Sequence, residues 1–326
     1  MTQPYRPIDL SRLKTYSIDR RHHKASAEVV AALPEPGASA AQLLASFPDY
    51  LGARALRRVV AAMVEAVRHN RPVVVAFGAH VIKVGCGPIL VDLIRRGIVK
   101  AVAGNGACAI HDMEMATRGE TSEEVADTIR DGSFGMVGET LGFFDEAAAL
   151  AKREAIGLGA AVGQLLIDRK ALHADRSVFA AAYEVGIPAT VHVALGTDTV
   201  HMSPGADGAA IGAASMYDFR LICDVVADLG ATGNSDVGGV WLNVGSAVLM
   251  PEVFLKAVSI ARNLGADLDA MTTANFDMIR HYRPQQNVVT RPVAPGRGHE
   301  VVGHHEILLP LLRQAVIEGL ASAGKP

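Results

Sequence analysis

A glycine-rich segment, GNGACA at residues 104–109, has the spacing of a dinucleotide-binding turn. It follows the apolar run VKAVA and precedes a stretch of helical character, which is the context that this pattern requires. Gly104 and Gly106 allow a tight turn, and the peptide N–H groups around Asn105 would face a diphosphate. No strand ending in Asp or Glu follows about twenty residues later, where such sites usually bind the ribose. A purely structural turn is therefore the alternative.

Ionisable side chains follow this turn and a second predicted strand exit. His111, Asp112 and Glu114 come directly after the glycines, and Asp198 and His201 lie in the segment GTDTVHM. Carboxylates in these places would bind a substrate ammonium group, and a neutral histidine would accept its proton. The pattern therefore predicts amine chemistry beside a dinucleotide.

Lys83 stands in the otherwise apolar turn HVIKVG. Its amine would bind a substrate carboxylate or phosphate, or form a Schiff base, whereas an exposed structural position is the alternative. The histidines expected near strand ends are His80, His111, His192 and His201. A metal site assembled from them is a further hypothesis, but their loose spacing favours no metal cofactor.

Alternating strands and helices must position these residues. The chain from Val73 to Glu114 reads strand, turn, helix, strand, turn, helix, which is typical of a parallel sheet. Ligands bind such sheets at the carboxyl ends of the strands. We therefore predict an α/β fold, a Rossmann-like parallel sheet flanked by helices, with the site at the turns that carry Gly78 and Gly106.

The rest of the chain continues the same alternation. Residues 1–38 carry charge and little periodicity, which predicts an N-terminal arm, and residues 39–326 are predicted to form a single α/β NAD-binding domain. A long Ala-rich helix is expected from about Glu139 to Leu172. An edge strand is expected within residues 287–303, followed by a closing helix despite Pro310.

One helix start is indicated by a capping box. In TSEEVADTIR, Thr121 is the expected N-cap residue because Glu124 follows at the capping-box spacing. The glycine-rich stretch DGSFGMVGET that follows is expected to be a connection, with a mobile lid as one interpretation.

Composition excludes several classes of function. The 326 residues are 50% hydrophobic, enough for a large core, and a net charge of −3 attracts neither nucleic acid nor an anionic membrane. No apolar run approaches the roughly 18 residues of a membrane span, and the N-terminus lacks a secretory apolar core. We expect a soluble, cytoplasmic protein that binds a small molecule.

The order of several segments resembles deoxyhypusine synthase, an NAD-dependent α/β enzyme that removes a butylamine unit from spermidine. The similar segments are FGAHVIKVG, GNGACAIHD, SVFAAAYEVGIP, ALGTDTVHM, NVGSAV and TTANFD. The resemblance implies that an NAD site is formed by Gly78, Ala79, Asn105, Gly106, Gly245, Ser246, Thr273, Asn275 and Asp277. It also implies that a substrate faces Asp112, Glu114, Asp198 and His201.

One departure separates the chain from that family. The lysine that the family uses for transfer, shortly after the TTANFD-like strand, is absent from RHYRPQQNVVTRPVAPGRG. The segment GNGACAIHDME also resembles the NAD-dependent ornithine cyclodeaminase domain of archaeal and cyanobacterial type, which shares the fold. In that domain NAD oxidises an amine, the imine reacts within the site, and the hydride returns.

We therefore predict an NAD-dependent transferase or lyase that acts on a small amine, polyamine or amino acid by transient hydride abstraction. One alternative is a true deoxyhypusine or homospermidine synthase that uses Lys83. Others are a metal-dependent hydrolase and a catalytically silent ligand-binding relative. The resemblance further implies a homotetramer with sites at subunit contacts, which the arm would help to cover.

Overall fold

A six-stranded sheet, parallel throughout, forms the centre of the molecule in this computed structural model, which describes residues 4–233 and 235–322. The strands are β1 (Val73–Phe77), β2 (Ala101–Asn105), β3 (Ala189–His192), β4 (Val240–Val244), β5 (Thr272–Asp277) and β6 (Gly298–Val302). Their order across the sheet is β3-β2-β1-β4-β5-β6. The predicted α/β class is confirmed.

Helices flank the sheet on both faces. They are α1 (Ala40–Ser46), α2 (Leu51–Arg68), α3 (His80–Lys83), α4 (Gly87–Arg95), α5 (Gly106–Arg118), α6 (Val125–Thr128), α7 (Gly138–Glu154), α8 (Leu158–Asp168), α9 (Val178–Val185), α10 (Gly208–Ala227), α11 (Leu249–Asn263), α12 (Tyr282–Pro284) and α13 (His305–Ser322). Short 3₁₀-helices lie at Leu10–Arg12, Ile18–Arg20, Ala27–Val29, Ala174–Arg176 and Thr199–Met202, and Gln285–Thr290 forms a π-helix.

The two faces of β1 show why its sequence forms a central strand. Every residue of VVVAF is buried, and β-branched side chains suit a strand that is covered on both sides. Val73, Val75 and Phe77 pack into a core with α2, α4 and α13, whereas Val74 and Ala76 pack with α10 and α11. The strand alternation thus divides the apolar core into one layer above the sheet and one below it.

The N-terminal segment has little structure of its own. Most side chains between residues 4 and 38 are exposed, including those of Leu13 and Leu33. Regular structure begins at α1, where Ser39 and Gln42 form a reciprocal capping box. The division into an arm and one domain remains a prediction.

The long helix expected from Glu139 to Leu172 is wrong in one respect, because the chain breaks it into α7 and α8. Ala155 closes α7 in the left-handed conformation, with φ of 53°. A Cβ atom on Gly157 would lie 1.7 Å from Oδ1 of Asp218, so this glycine allows the close approach. Oδ2 of Asp218 then accepts the N–H of Gly159 at 3.0 Å, which satisfies the start of α8.

The capping box expected at Thr121 is also wrong. Helix α6 begins at Val125, and the side chain of Glu124 caps it by accepting the N–H of Ala126 at 3.3 Å. The Thr121 hydroxyl is bound elsewhere, since it donates to Glu114 and contacts His111. The Thr121 side chain, which the local spacing assigned to the helix start, therefore makes tertiary contacts with Glu114 and His111 instead.

Both features expected near the C-terminus are confirmed. Among the described residues, strand β6 pairs only with β5 and forms one edge of the sheet. Helix α13 continues through Pro310, with Leu309 and Leu312 buried beside it. Burial of this apolar face offsets the hydrogen bond that proline removes from the helix.

Candidate functional site

The direction in which successive strands are added to the sheet reverses between β1 and β4. From β1 the chain moves outward to β2 and β3, and from β4 it moves outward in the opposite direction to β5 and β6. In open parallel sheets the crevice beyond the carboxyl ends of such a strand pair is the usual ligand site. The residues that border it are those that directly follow Phe77 and Val244.

Two glycines bring the turns after β1 and β4 into contact. The N–H of Gly78 donates to the carbonyl of Val244 at 2.8 Å, and a Cβ atom on Gly78 would lie 2.0 Å from the carbonyl oxygen of Gly245. Gly245 itself has φ of 66°, in the region that favours glycine. Ser246 is buried after it, and its hydroxyl accepts the N–H of Met250 at 3.2 Å at the start of α11. The backbones of the two turns can therefore approach this closely only because Gly78 and Gly245 have no side chains.

His305 lies against the same pair of turns and was missed by the sequence reasoning. A Cβ atom on Gly245 would lie 2.6 Å from Nε2 of this histidine, whose side chain is 1% exposed. Its ring meets that of His80 edge-on, with 6.0 Å between the centroids. Burial lowers the pKa of His305 below its ordinary value. The available signal was its position directly after a predicted edge strand, at the start of a helix.

A second group of site residues lies at the end of β2, beside β1. The side chain of Asn105 caps α5 by accepting the N–H of Cys108 at 3.0 Å. A Cβ atom on Gly106 would lie 2.0 Å from Oδ2 of Asp198, so a carboxylate faces the first turn of α5. At position 104 a side chain would clash with the core, because a Cβ atom there would lie 2.8 Å from the Cβ atom of Cys108. The helix N-terminus expected to meet a diphosphate therefore already faces a protein carboxylate.

Asp198 and His201 form a half-buried acid–imidazole pair. Nδ1 of His201 accepts the N–H groups of Gly196 and Asp198 at 3.1 and 3.2 Å, so the ring proton must lie on Nε2. Nε2 is 3.9 Å from Oδ2 of Asp198. Burial raises the pKa of Asp198, and the nearby His201 opposes this rise. His201 is thus held as a hydrogen donor next to a carboxylate.

This pair lies in a narrow cavity with mostly apolar walls. The cavity is lined by Gly106, Phe144, Asp145, Leu158, Val193, Asp198, Val200, His201 and Ile211. Asp145 accepts a hydrogen bond from the Ser203 hydroxyl at 2.6 Å. Apolar walls around a carboxylate strengthen its attraction for a cation, because little water competes.

His111 has the opposite proton arrangement to His201. The Thr121 hydroxyl donates its one proton to Glu114, so Nδ1 of His111 must donate to Thr121 across their 2.7 Å contact. The other oxygen of Glu114 accepts from Thr140 at 2.9 Å. Burial lowers the pKa of His111, and Lys83 lowers it further while Glu114 opposes both. His111 is therefore neutral at pH 7, with its lone pair on Nε2.

Two other predicted catalytic residues lie in different surroundings. Asp112 belongs to α5 and is buried against the start of α9, where its carboxylate accepts from the Ser177 hydroxyl and from the N–H of Val178 at 2.8 Å. Burial raises the pKa of Asp112 to about 6, against these hydrogen bonds. Its contacts are those of a helix cap. Lys83, by contrast, has an exposed side chain at the end of α3.

The predicted cofactor residues of β5 lie inside the sheet. Thr273 is fully buried and donates to the carbonyl of Val288 at 2.6 Å. Asn275 belongs to a polar row across three strands, accepting from Asn243 at 2.7 Å and donating to Glu300 at 2.7 Å. Asp277 lies at the strand end, where it accepts the N–H of Met278 at 2.8 Å. Of these residues, only Asp277 reaches the edge at which Gly78, Ala79 and Gly245 lie.

Two possible features are not found in the described part of the chain. No group of three or more His, Cys, Asp or Glu side chains within residues 4–233 and 235–322 is arranged to hold a metal ion. No helix in those ranges combines the length and the apolar character that a membrane crossing needs.

Comparisons with known proteins give matches among solved structures. No protein-family model matches the chain, and a search of curated proteins gives no match. Unliganded AgrE aligns with a TM-score of 0.51 and 20% identity over 81% of this chain and 32% of AgrE. AgrE in its ternary complex with ornithine and NAD+ aligns with a TM-score of 0.49, 19% identity, and 83% and 34% coverage. A protein of Entamoeba histolytica assigned as a deoxyhypusine synthase aligns with a TM-score of 0.49 and 12% identity over 89% of this chain and 95% of its own.

These likenesses concern the fold. At 20% identity, the alignment with unliganded AgrE shows that the two proteins share a fold. The chain spans about a third of the length of AgrE. Site residues, cofactor and reaction therefore have to be argued from the geometry of this chain.

Proposed function

We propose that this protein is an NAD-dependent enzyme that removes a hydride transiently from a small amine or amino acid. The observation that carries the proposal is the strand order β3-β2-β1-β4-β5-β6, which joins two glycine turns at the reversal of the sheet. Parallel sheets with this order bind dinucleotides across that crevice. The acid–imidazole pair and His111 follow the adjacent strands, so an amine would lie close by.

Two features of these turns support a dinucleotide at this position. Gly78 and Gly245 bring the backbone close to the crevice without side chains, and Ala79 and Ser246 border it. Both ring nitrogens of His305 are buried without a hydrogen-bond partner among the described residues, so ligand contacts are available there. NAD would supply the hydride acceptor, and AgrE, which shares the fold, has been solved with NAD+ and ornithine.

Asp198 is the proposed site for the substrate ammonium group. It is largely buried among apolar side chains, where a cation would restore the stabilisation that the carboxylate loses on leaving water. Nδ1 of His201 accepts two peptide N–H groups, so this ring offers no free lone pair to the substrate. The Nε2–H of His201 lies 3.9 Å from Oδ2 of Asp198 and would help to orient that carboxylate.

His111 is the proposed base. An amine must lose a proton before it can donate a hydride, and His111 is neutral with its lone pair on Nε2. Thr121 and Glu114 hold the ring in this tautomer and stabilise the positive charge that develops on protonation. Lys83, which lowers the pKa of this histidine, would bind a substrate carboxylate.

Calorimetric titration with NAD+, followed by rapid mixing of the complex with ornithine or spermidine, tests the proposal. The expected result is saturable NAD+ binding and a transient rise in the near-ultraviolet absorbance of reduced nicotinamide. In the His111→Asn variant the rise should slow by about 10²- to 10⁴-fold, the usual contribution of a general base, with NAD+ affinity retained. Substitution of the exposed His69 by Asn is the matched control.

Two results would contradict the proposal. If the protein bound no NAD+ at millimolar concentration, NAD could not be its cofactor. A covalent amine adduct on Lys83, trapped by borohydride in the presence of NAD+ and spermidine, would instead indicate an aminobutyl transferase.

A further inference from the structure

His305 is an unusual buried histidine. It is the first residue of α13, it is 1% exposed, and within the described ranges neither Nδ1 nor Nε2 has a hydrogen-bond partner. Buried polar side-chain atoms in native proteins almost always have a hydrogen-bond partner. A donor or acceptor without one has lost its hydrogen bonds to water and gained none in the protein, which destabilises the folded state. Two such atoms on one ring therefore require an explanation.

The position of the ring suggests what completes it. His305 lies against Gly245, whose missing side chain makes room for Nε2, and against the ring of His80 at the start of α3. These two residues belong to the turns after β4 and β1, which meet at the reversal of the sheet. A ligand bound where these turns meet would lie close to the imidazole.

The charge state of the ring limits the chemistry of that ligand. Burial lowers the pKa of His305, and so do His80 and His304, while Asp277 and Glu306 oppose them. The ring is therefore neutral at pH 7, with one N–H donor and one lone pair. A phosphate could meet only the ring N–H, because its oxygens accept, whereas a hydroxyl can accept from the N–H or donate to the lone pair on the other nitrogen.

We propose that His305 recognises a ribose hydroxyl of the dinucleotide and sets the specificity of the crevice for ribose-bearing ligands. This inference rests on the proposed function and adds a residue that neither the motifs nor the resemblance assigned. It also accounts for the absence of an acidic residue at the end of β2, where the ribose of a dinucleotide is usually bound. Here the hydroxyl is bound from the far side of the crevice, by the start of α13.

The experiment compares NAD+ binding by calorimetry in the wild type and in three variants. His305→Phe keeps an aromatic ring and removes both nitrogens, and it should raise the Kd of NAD+ about 10-fold or more. His305→Gln retains a donor and an acceptor and should recover part of the affinity. His304→Phe makes the same substitution at the adjacent side chain, which is 63% exposed, and should leave the Kd unchanged.

Thermal unfolding separates recognition from a structural role. Phenylalanine leaves no buried donor or acceptor at this position, so the midpoint of His305→Phe should equal or exceed that of the wild type. A lower midpoint with an unchanged Kd would mean that ordered water satisfies the ring and that its role is structural. That result would overturn the proposal.

NAD+ analogues that each lack one ribose hydroxyl identify the contact. At least one analogue should bind the wild type about 10-fold more weakly than NAD+ does. The same analogue and NAD+ should bind His305→Phe equally tightly, because the contact between His305 and the ribose hydroxyl is already lost in that variant. Equal losses in both proteins for every analogue would show that no ribose hydroxyl meets His305.

ADP-ribose distinguishes failure of this inference from failure of the proposed function. If the wild type binds ADP-ribose but not NAD+, the redox proposal fails and the same variants judge His305 with ADP-ribose as the probe. If the wild type binds both and His305→Phe retains full affinity for both, only the role of His305 fails. If it binds neither, both proposals fail.

Discussion

Two histidines near the cavity have opposite proton arrangements, and their neighbours determine this. Nδ1 of His201 accepts two peptide N–H groups, whereas Nδ1 of His111 donates to a threonine whose own proton goes to Glu114. Only His111 therefore presents a lone pair on Nε2. The sequence alone could not decide which histidine is the base, because both follow strands and both lie beside acids.

The Thr121→Val variant tests this assignment. Valine has almost the same shape but accepts no hydrogen bond, so His111 loses the contact that fixes its tautomer. We expect the hydride-transfer rate to fall by about 10- to 100-fold while the Kd of NAD+ is unchanged. Stopped-flow absorbance measures the rate.

Two further variants control that measurement. Thr121→Ser retains the hydroxyl and should restore the rate. Thr117→Val removes a hydroxyl that bonds only within α5, and it should leave the rate unaffected. A similar loss of rate in both valine variants would point to a general disturbance of α5 and against the relay.

Asp198→Asn tests the ammonium site. The amide keeps the volume of the carboxylate but removes the charge that attracts the substrate, so the KM for the amine should rise by at least about 10-fold. The Kd of NAD+ should change much less, because the crevice lies on the neighbouring strands. Steady-state kinetics and calorimetry measure the two quantities, and equal losses would indicate a structural role at the start of α5.

At the scale of elements, Asp218 controls how two helices meet. It lies within α10, is fully buried, and accepts peptide N–H groups from Gly159 in α8 and Val191 in β3 at 3.0 and 2.8 Å. Burial nevertheless raises the pKa of Asp218 from 3.8 to about 7. The folded protein therefore holds a proton at this position at pH values where the unfolded chain has released it.

This shift predicts a pH dependence of stability. Between pH 4 and 7 the native state binds more protons at Asp218 than the unfolded state does, so its contribution to stability decreases as the pH rises. Asp218→Asn mimics the protonated form and removes this loss. The free energy of unfolding of the variant relative to the wild type should increase by up to about 1.4 kcal/mol per pH unit across that window.

Urea denaturation at several pH values measures the difference. Asp224→Asn, an exposed substitution on the same helix, is the control and should give a difference that does not vary with pH. A constant difference for Asp218→Asn as well would show that this carboxyl titrates normally in the folded state.

At the scale of the whole molecule, the N-terminal arm exposes large apolar side chains. Tyr5 is 85% exposed and Ile8 is 83% exposed, so a single copy of the chain does not cover them. From Ser26 onward the arm is attached, since the N–H of Ser26 donates to the Tyr50 hydroxyl at 2.9 Å. We therefore keep the prediction of a homotetramer in which the arm packs on a neighbouring subunit.

Removal of residues 1–25 tests that prediction. The full-length protein should sediment as a tetramer, and the shortened chain should dissociate to smaller species at the same concentration, because the exposed apolar contacts are lost. Circular dichroism should show an unchanged fold. A full-length protein that sediments as a monomer would disprove the prediction.

Much of the fold could be predicted from local patterns. The buried runs of β1 and β2, the glycines after them, and the amphipathic α2 each have a signature a few residues long, which is enough to predict parallel βαβ units. The candidate residues at strand ends followed from the same units, since parallel strands share one carboxyl edge. Gly78 and Gly106 were predicted in this way, whereas the place of Gly245 at the site was implied by the resemblance.

Tertiary structure alone decided the remaining features, because each depends on a partner far away in the sequence. The break between α7 and α8 needs Asp218, and the tautomer of His111 needs Thr121. His305 is buried beside Gly245 because the start of α13 packs against the turn after β4, sixty residues earlier in the chain. The amino-acid sequence thus determined which elements form, whereas the packing of distant elements determined which side chains remain available for a ligand.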